Sequence, residues 1–355
     1  MQRIKSLDLA RGFTVLMIAP IHTVMLYSKL SIHETLMGKL MAFIAEGPGA
    51  QLFMLLMGVF FALSSKNNFV AICKRTFYLF VAAYLLNLFK FIIPNFFGWL
   101  PQSLLNDLSI VTNRNEYMQL LLIGDILHFA AIATLILFVV SCLPYAQFVS
   151  LVLASLVCLL SPFTWDLHSS YYLLDYLLQL SGGGPPQVFF PLFPWLVYPL
   201  VGFSLGILIK KSAHHDYAFW LCRDLGWILI IAGNMAKYIS VSNPVTPFYR
   251  TYYDDTMIHL GIVLITLSVW EWISENVKPN HFFDVLTYMS RNITSIYIIQ
   301  WIIICWLLRL FGYHELGFIT TLFAVILTSS LTISISFFFK KRAKKENPIS
   351  DQLID

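Results

Sequence analysis

Apolar residues fall along this chain in ten runs of membrane length, separated by short polar breaks. The runs cover roughly residues 7–27, 47–65, 70–93, 119–142, 146–162, 188–209, 224–241, 256–273, 287–309 and 317–339, the fifth and seventh being the shortest. At about 1.5 Å of rise per residue, runs of this length cross a hydrocarbon core of about 30 Å as helices. The apolar/polar alternation of a membrane β-barrel is absent. The pattern therefore predicts an all-α polytopic bundle of about ten transmembrane helices. It forms one membrane domain over residues 1–345, with a short tail at 346–355 and no internal repeat.

Composition agrees with the pattern. The chain has 355 residues, of which 58% are hydrophobic and only 12% charged, too little polar surface to cover a water-soluble globule. The few cations are unevenly spread. Arg3, Lys5, Lys66, Lys74, Arg75, Lys210, Lys211, Arg223, Lys278, Arg291 and the basic run 340–345 fall on one side of the predicted bundle; Lys29, Lys39, Arg114 and Arg250 fall on the other. The positive-inside rule places both termini in the cytoplasm, and a bacterial inner membrane is the expected location. The net charge of +4 reflects this bias and points to lipid headgroups, not to a nucleic acid. The first run exceeds a signal-peptide core and lacks a cleavage pattern, so it is expected to stay as a signal anchor. The five cysteines lie in or beside runs without close pairing, which predicts packing residues and neither disulfides nor a metal site.

The first run carries charge where charge is costly. Asp8 and Arg11 stand one turn apart and can pair. Eleven residues turn an ideal helix by about 1100°, so Arg11 and His22 lie within about 20° of one face, about 16 Å apart along it. Further acids and imidazoles gather at the level of His22: His33 and Glu34, Glu46 and Gln51, Asp125 and His128 at i, i+3, and Asp254, Asp255 and His259. A carboxylate that orients an imidazole is the usual general-base arrangement. The same groups also suit a proton relay or packed buried pairs. On the opposite side Arg11, Lys74, Arg75, Lys210, Lys211 and Arg291 suit the phosphates of an anionic cofactor, although topology alone accounts for most of them.

The run Arg3-x-x-x-Ser6-Leu7-Asp8-x-x-Arg11-Gly12, followed by apolar residues and His22, resembles the opening of transmembrane acyltransferases. The heparan-alpha-glucosaminide N-acetyltransferase group is nearest, and bacterial acyltransferase-3 proteins are more distant. Gly49 to Gly58, Gly124-Asp-Ile-Leu-His128 and Phe190-Pro-Leu-Phe-Pro194-Trp195 with Gly202 and Gly206 are similar to further span motifs of that group. The resemblance covers about the first 210 residues. It implies transfer of an acetyl group from cytoplasmic acetyl-CoA to a sugar amine or hydroxyl beyond the membrane, such as an amino sugar or envelope glycan, with no metal. It also implies cofactor binding by Asp8, Arg11, Lys74 and Arg75, and catalysis by an outer imidazole with Asp125 and His128. Two positions compete for that imidazole: His22 matches the bacterial relatives, and His33 matches the heparan-type proteins.

The long outer segments 94–118 and 163–187, with Trp99, Trp165, Tyr171 and Tyr172, suit an acceptor of some size or a membrane interface. Ser181-Gly-Gly-Gly-Pro-Pro186 reads as a flexible hinge. A homodimer is compatible with the sequence. The alternative class is a transporter or flippase using the same polar groups, but paired broken spans in two matching halves are missing.

Overall fold

A computed structural model describes residues 4–110, 115–212, 216–239 and 248–346. Arg3, Arg114, residues 240 and 241, and the tail beyond 346 lie outside the described residues, as do the side chains of 343–346. The described chain is helical throughout, with two isolated backbone bridges in place of a sheet.

Nine of the described helices are long and apolar enough to cross a membrane, and a tenth is apolar but shorter. In chain order the principal helices are α1 (Lys5–Tyr27), α2 (Leu36–Leu63), α3 (Phe69–Phe96), α4 (Ile126–Ser141, the short one), α5 (Ala146–Thr164) and α6 (Leu192–Lys211). They continue as α7 (Asp216–Ile239), α8 (Tyr253–Asn276), α9 (His281–Arg291), α10 (Ile293–Phe311) and α11 (Phe318–Glu346). Large apolar side chains stay exposed along their outer faces, among them Phe77 and Tyr78 on α3, Trp227 and Ile231 on α7, and Phe323 and Ile326 on α11. Lipid is the solvent that such a surface fits. The chain is an integral multi-pass membrane protein.

Helix α1 is the hub, touching α2, α8, α9, α10 and α11. Its approach to α9 depends on Gly12, where a Cβ would stand 2.0 Å from the Leu286 carbonyl oxygen. Helices α2 and α6 cross even more closely. A Cβ on Gly58 would stand 2.0 Å from the Pro199 carbonyl oxygen, and one on Gly202 would stand 1.9 Å from that of Leu55. In lipid, where apolar burial alone does not pull helices together, such backbone approach supplies the packing.

Two predicted spans differ in outline. The fourth is broken: a short helix, Glu116–Leu121, precedes an irregular stretch, and the spanning helix starts at Ile126. Within the break Gly124 pairs with the segment before α6, donating to the Gln187 carbonyl (2.7 Å) and accepting from the Phe189 amide (3.0 Å). The ninth run divides at Asn292 into α9, apolar on one face, and the spanning α10. The segment 181–186, expected as a flexible hinge, lies closely packed here. Gly182, Gly183 and Gly184 are packed so that a Cβ would meet Thr164 at 2.3 Å, Gln179 at 2.5 Å and Arg250 at 2.7 Å.

Candidate active site

Two helices bring a buried ion pair to the middle of the bundle. Helix α3 carries a π-turn at Leu88–Ile92, and within it Lys90 is only 2% exposed. Its ammonium donates to Asp125 Oδ2 at 2.5 Å, and its Nζ lies 4.6 Å from the ring centres of Phe91 and Trp301. Asn87, one turn earlier, donates to the Leu121 and Ile123 carbonyls at 2.9 and 2.8 Å. Asn87 and Lys90 therefore clamp the break before α4 at three points. Backbone without helical partners is tolerated at membrane depth only when its polar groups are met in this way.

Asp125 is fully engaged. Its Oδ1 accepts from the Tyr297 hydroxyl at 2.8 Å and from the Ile126 amide at 2.7 Å, and its Oδ2 takes Lys90. The carboxylate does not orient His128, as the i, i+3 spacing suggests. His128 instead uses Nδ1 to accept from the Asp125 backbone amide at 3.1 Å, closing a capping box at the start of α4. An Nδ1 that accepts leaves the proton of the neutral ring on Nε2. That nitrogen is buried without a partner among the described residues, and the ring lies edge-on to Tyr84 at 4.8 Å. His128 is therefore not set up as a base.

His22 has the opposite arrangement. Its Nδ1 meets the Ile18 carbonyl at 2.8 Å, so Nδ1 carries the proton and Nε2 keeps a lone pair. Its ring packs against Trp301, centre to centre 4.3 Å and tilted by 53°, the same indole that Lys90 touches. Pro20 lies two residues earlier in α1 and has no amide to give the Leu16 carbonyl. Tyr297, Gln300 and Trp301 share one face of α10 at i, i+3 and i+4. Gln300 is fully buried, and neither amide atom has a partner among the described residues. The structure thus brings together His22 and Asp125, as the sequence suggests, and adds Lys90, Tyr297, Gln300 and Trp301.

His33 lies elsewhere, in the short helix Leu30–His33. Its ring stands edge-on to His314 at 5.6 Å, and its Nε2 is buried without a partner among the described residues. His314 in turn meets the Ser28 carbonyl at 3.0 Å. Asp254, Asp255 and His259 belong to the α7–α8 contact, where Lys237 takes Asp255 at 2.6 Å. Gln51 donates to the Glu46 carbonyl at 2.5 Å beside the π-turn of α2.

At the basic end Arg11 joins α1 to α9. Its Nε donates to Ser290 Oγ at 2.9 Å and a terminal nitrogen to Asp8 Oδ1 at 3.2 Å, while Ser290 donates to the same Asp8 oxygen at 2.8 Å. The guanidinium also lies 3.7 Å from the Phe60 ring centre, and the side chain keeps 21% of its surface exposed. Lys5 sits over Phe283 and Lys340 over Tyr288, so further cations border α9. Lys74 and Arg75 are exposed on α3, which packs chiefly on α4 and not on α1. The structure therefore does not gather them with Asp8 and Arg11.

At the opposite end an open groove of about 200 Å³ runs between the loops, lined by Tyr172, Asp175, Tyr176, Gln179 and Gln187. Ile123 and Val188, the bridge partner of Gly124, line it too, so the groove reaches to within two residues of Asp125. The Ser169 amide and His168 hold the Asp175 carboxyl below the usual carboxylate range.

Residues 3–239, two thirds of the chain, match the family model described as heparan-alpha-glucosaminide N-acetyltransferase, catalytic. No match is found among curated proteins or among solved structures.

Proposed function

The chain belongs to the heparan-alpha-glucosaminide N-acetyltransferase catalytic family, a family of membrane acetyltransferases, and from that premise we propose how it moves the acetyl group. Acetyl-CoA enters at the basic end, where Lys5, Arg11, Arg291 and Lys340 border α1 and α9. A sugar amine or hydroxyl arrives at the other end through the groove beside Gly124. His22 is the general base between them. The Lys and Arg bias puts the basic end in the cytoplasm, and a bacterial inner membrane is the proposed setting.

One observation carries the choice of base: His22 spends Nδ1 on the Ile18 carbonyl and keeps the Nε2 lone pair. A base of this kind is held in one tautomer by its second nitrogen. An acetyl thioester is already activated, so the chain must supply only that base, an acceptor held in place, and donors for the developing oxyanion. The tyrosines and amide side chains of the groove suit sugar hydroxyls, with Asp175 ionised among them.

Calorimetry of acetyl-CoA binding to detergent-purified protein, paired with release of the CoA thiol on adding glucosamine, tests this reading. Saturable binding and glucosamine-dependent thiol release are expected. A folded protein that does neither would overturn it and favour a transporter. Arg11→Ala is expected to weaken acetyl-CoA binding about tenfold, the loss of one charge-assisted contact. It is also expected to lower the melting temperature, because Asp8 is 3% exposed and loses one of its charge-assisted contacts. Unchanged affinity in Arg11→Ala would remove Arg11 from the cofactor site.

A further inference from the structure

Lys90 is a buried charged residue that the acetyl-transfer scheme leaves unused, and clamping the break before α4 does not by itself call for a charge there. A buried ion pair is at best near neutral against apolar packing, and a charge inside a membrane usually marks function. It sits in a π-turn, a local distortion of α3 that is frequent at functional sites. The ammonium has three protons, and Asp125 takes one. Phe91 and Trp301 offer ring faces to the others, and no oxygen but that of Asp125 is paired with Nζ among the described residues. The indole of Trp301 is also the ring against which His22 packs. Base and ammonium thus flank one ring.

We propose that Lys90 is a catalytic residue, its ammonium donating to the thioester carbonyl oxygen as that oxygen becomes an oxyanion. Asp125 and Tyr297 are its positioning residues. The inference rests on the acetyl-transfer reading with His22 as base. As the acceptor nitrogen or oxygen bonds to the thioester carbon, the carbonyl π pair moves to oxygen beside Lys90, and His22 Nε2 takes the acceptor's proton. Collapse then breaks the C–S bond and CoA leaves as thiolate with that electron pair. The proton passes from His22 to sulfur, giving CoA and the acetylated acceptor. Lys90 keeps its protons throughout, because Asp125 holds the carboxylate opposite it. Asp125 itself is no rival for the role of base, since Lys90, Tyr297 and the Ile126 amide occupy its oxygens. Tyr297 and Trp301 lie beyond the residues that match the family model, so this part of the site comes from the last third of the chain.

The test compares Lys90→Met/Asp125→Asn, which removes both charges, with wild type. Its readouts are acetyl-CoA affinity by calorimetry and glucosamine-dependent thiol release. Loss of a preorganised oxyanion donor costs about 10²–10³-fold in kcat, so that drop is expected, with affinity for acetyl-CoA unchanged. If the pair is only structural, neutralising it together leaves kcat within a few fold of wild type, and that result overturns the proposal. Should the double variant not fold, Lys90→Arg decides the matter. Its planar fork keeps the charge but displaces the donors. A kcat lowered tenfold or more with KM for acetyl-CoA unchanged supports the proposal, and a wild-type kcat overturns it. A wild-type protein that binds no acetyl-CoA and releases no thiol would instead defeat the acetyl-transfer reading itself, so the two failures are told apart.

Discussion

His22→Ala is expected to lower kcat about 10²–10⁴-fold, the usual contribution of a positioned general base, and to leave the protein folded and able to bind acetyl-CoA. The fold should survive because the ring makes one hydrogen bond, to a carbonyl of its own helix, and one tilted ring contact. Neighbouring side chains hold α1 in place without it: Thr23 bonds Thr328 at 2.9 Å, and the Tyr27 hydroxyl donates to the Ile304 carbonyl at 2.6 Å. His22→Gln restores bulk without a base and should be as inactive as alanine. His33→Ala is the comparator, expected to retain activity within about tenfold because its ring pairs with His314 and not with the Trp301–Lys90 group. Steady-state thiol release from all three variants decides between the histidines. Full activity in His22→Ala with loss in His33→Ala would transfer the role to His33.

Gly202→Val is expected to abolish recovery of folded protein. The Cβ of any larger residue at 202 would occupy a point 1.9 Å from the Leu55 carbonyl oxygen, and backbone cannot rotate aside as a side chain can. Overpacking an ordinary core costs about 1–3 kcal/mol, and here relief requires α2 and α6 to move apart along a crossing that also depends on Gly58. Those helices hold much of the main core, including Leu55, Leu56, Val59, Leu200 and Phe203. Gly317→Ala serves as control, since the nearest atom to its Cβ would be Thr320 Oγ1 at 3.9 Å. Elution profile and melting temperature in detergent should separate the two variants. A Gly202→Val protein that elutes and melts like wild type would refute this account of the crossing.

The sequence carried further at some positions than at others. The Gly58 and Gly202 motifs were visible as patterns, and their cause, backbone contact between two spans, became visible only when the helices were packed. The pairing of Asp8 with Arg11 was legible because it is local, one turn apart. Ser290, which completes that group, is 282 residues from Asp8 and gave no signal. Lys90 did give one: it is the single cation in an apolar stretch from Phe77 to Pro94. Its partner was not readable, since Asp125 lies 35 positions on and looked committed to His128 at i, i+3. The geometry at a helix start decided otherwise, because a capping residue turns its neighbour's ring to the backbone.

Hydropathy by itself determined the solvent, the helical class and the number of apolar segments, because each segment must satisfy its own backbone in lipid and only helices of that length do so. Local spacing determined the stripe on α1 that holds Arg11 and His22. Tertiary structure alone decided that His22 lies against Trp301, which acid binds Lys90, and that α10 closes the site with Tyr297 and Trp301. Those features depend on contacts between helices far apart in the chain, whose relative rotation no local periodicity records.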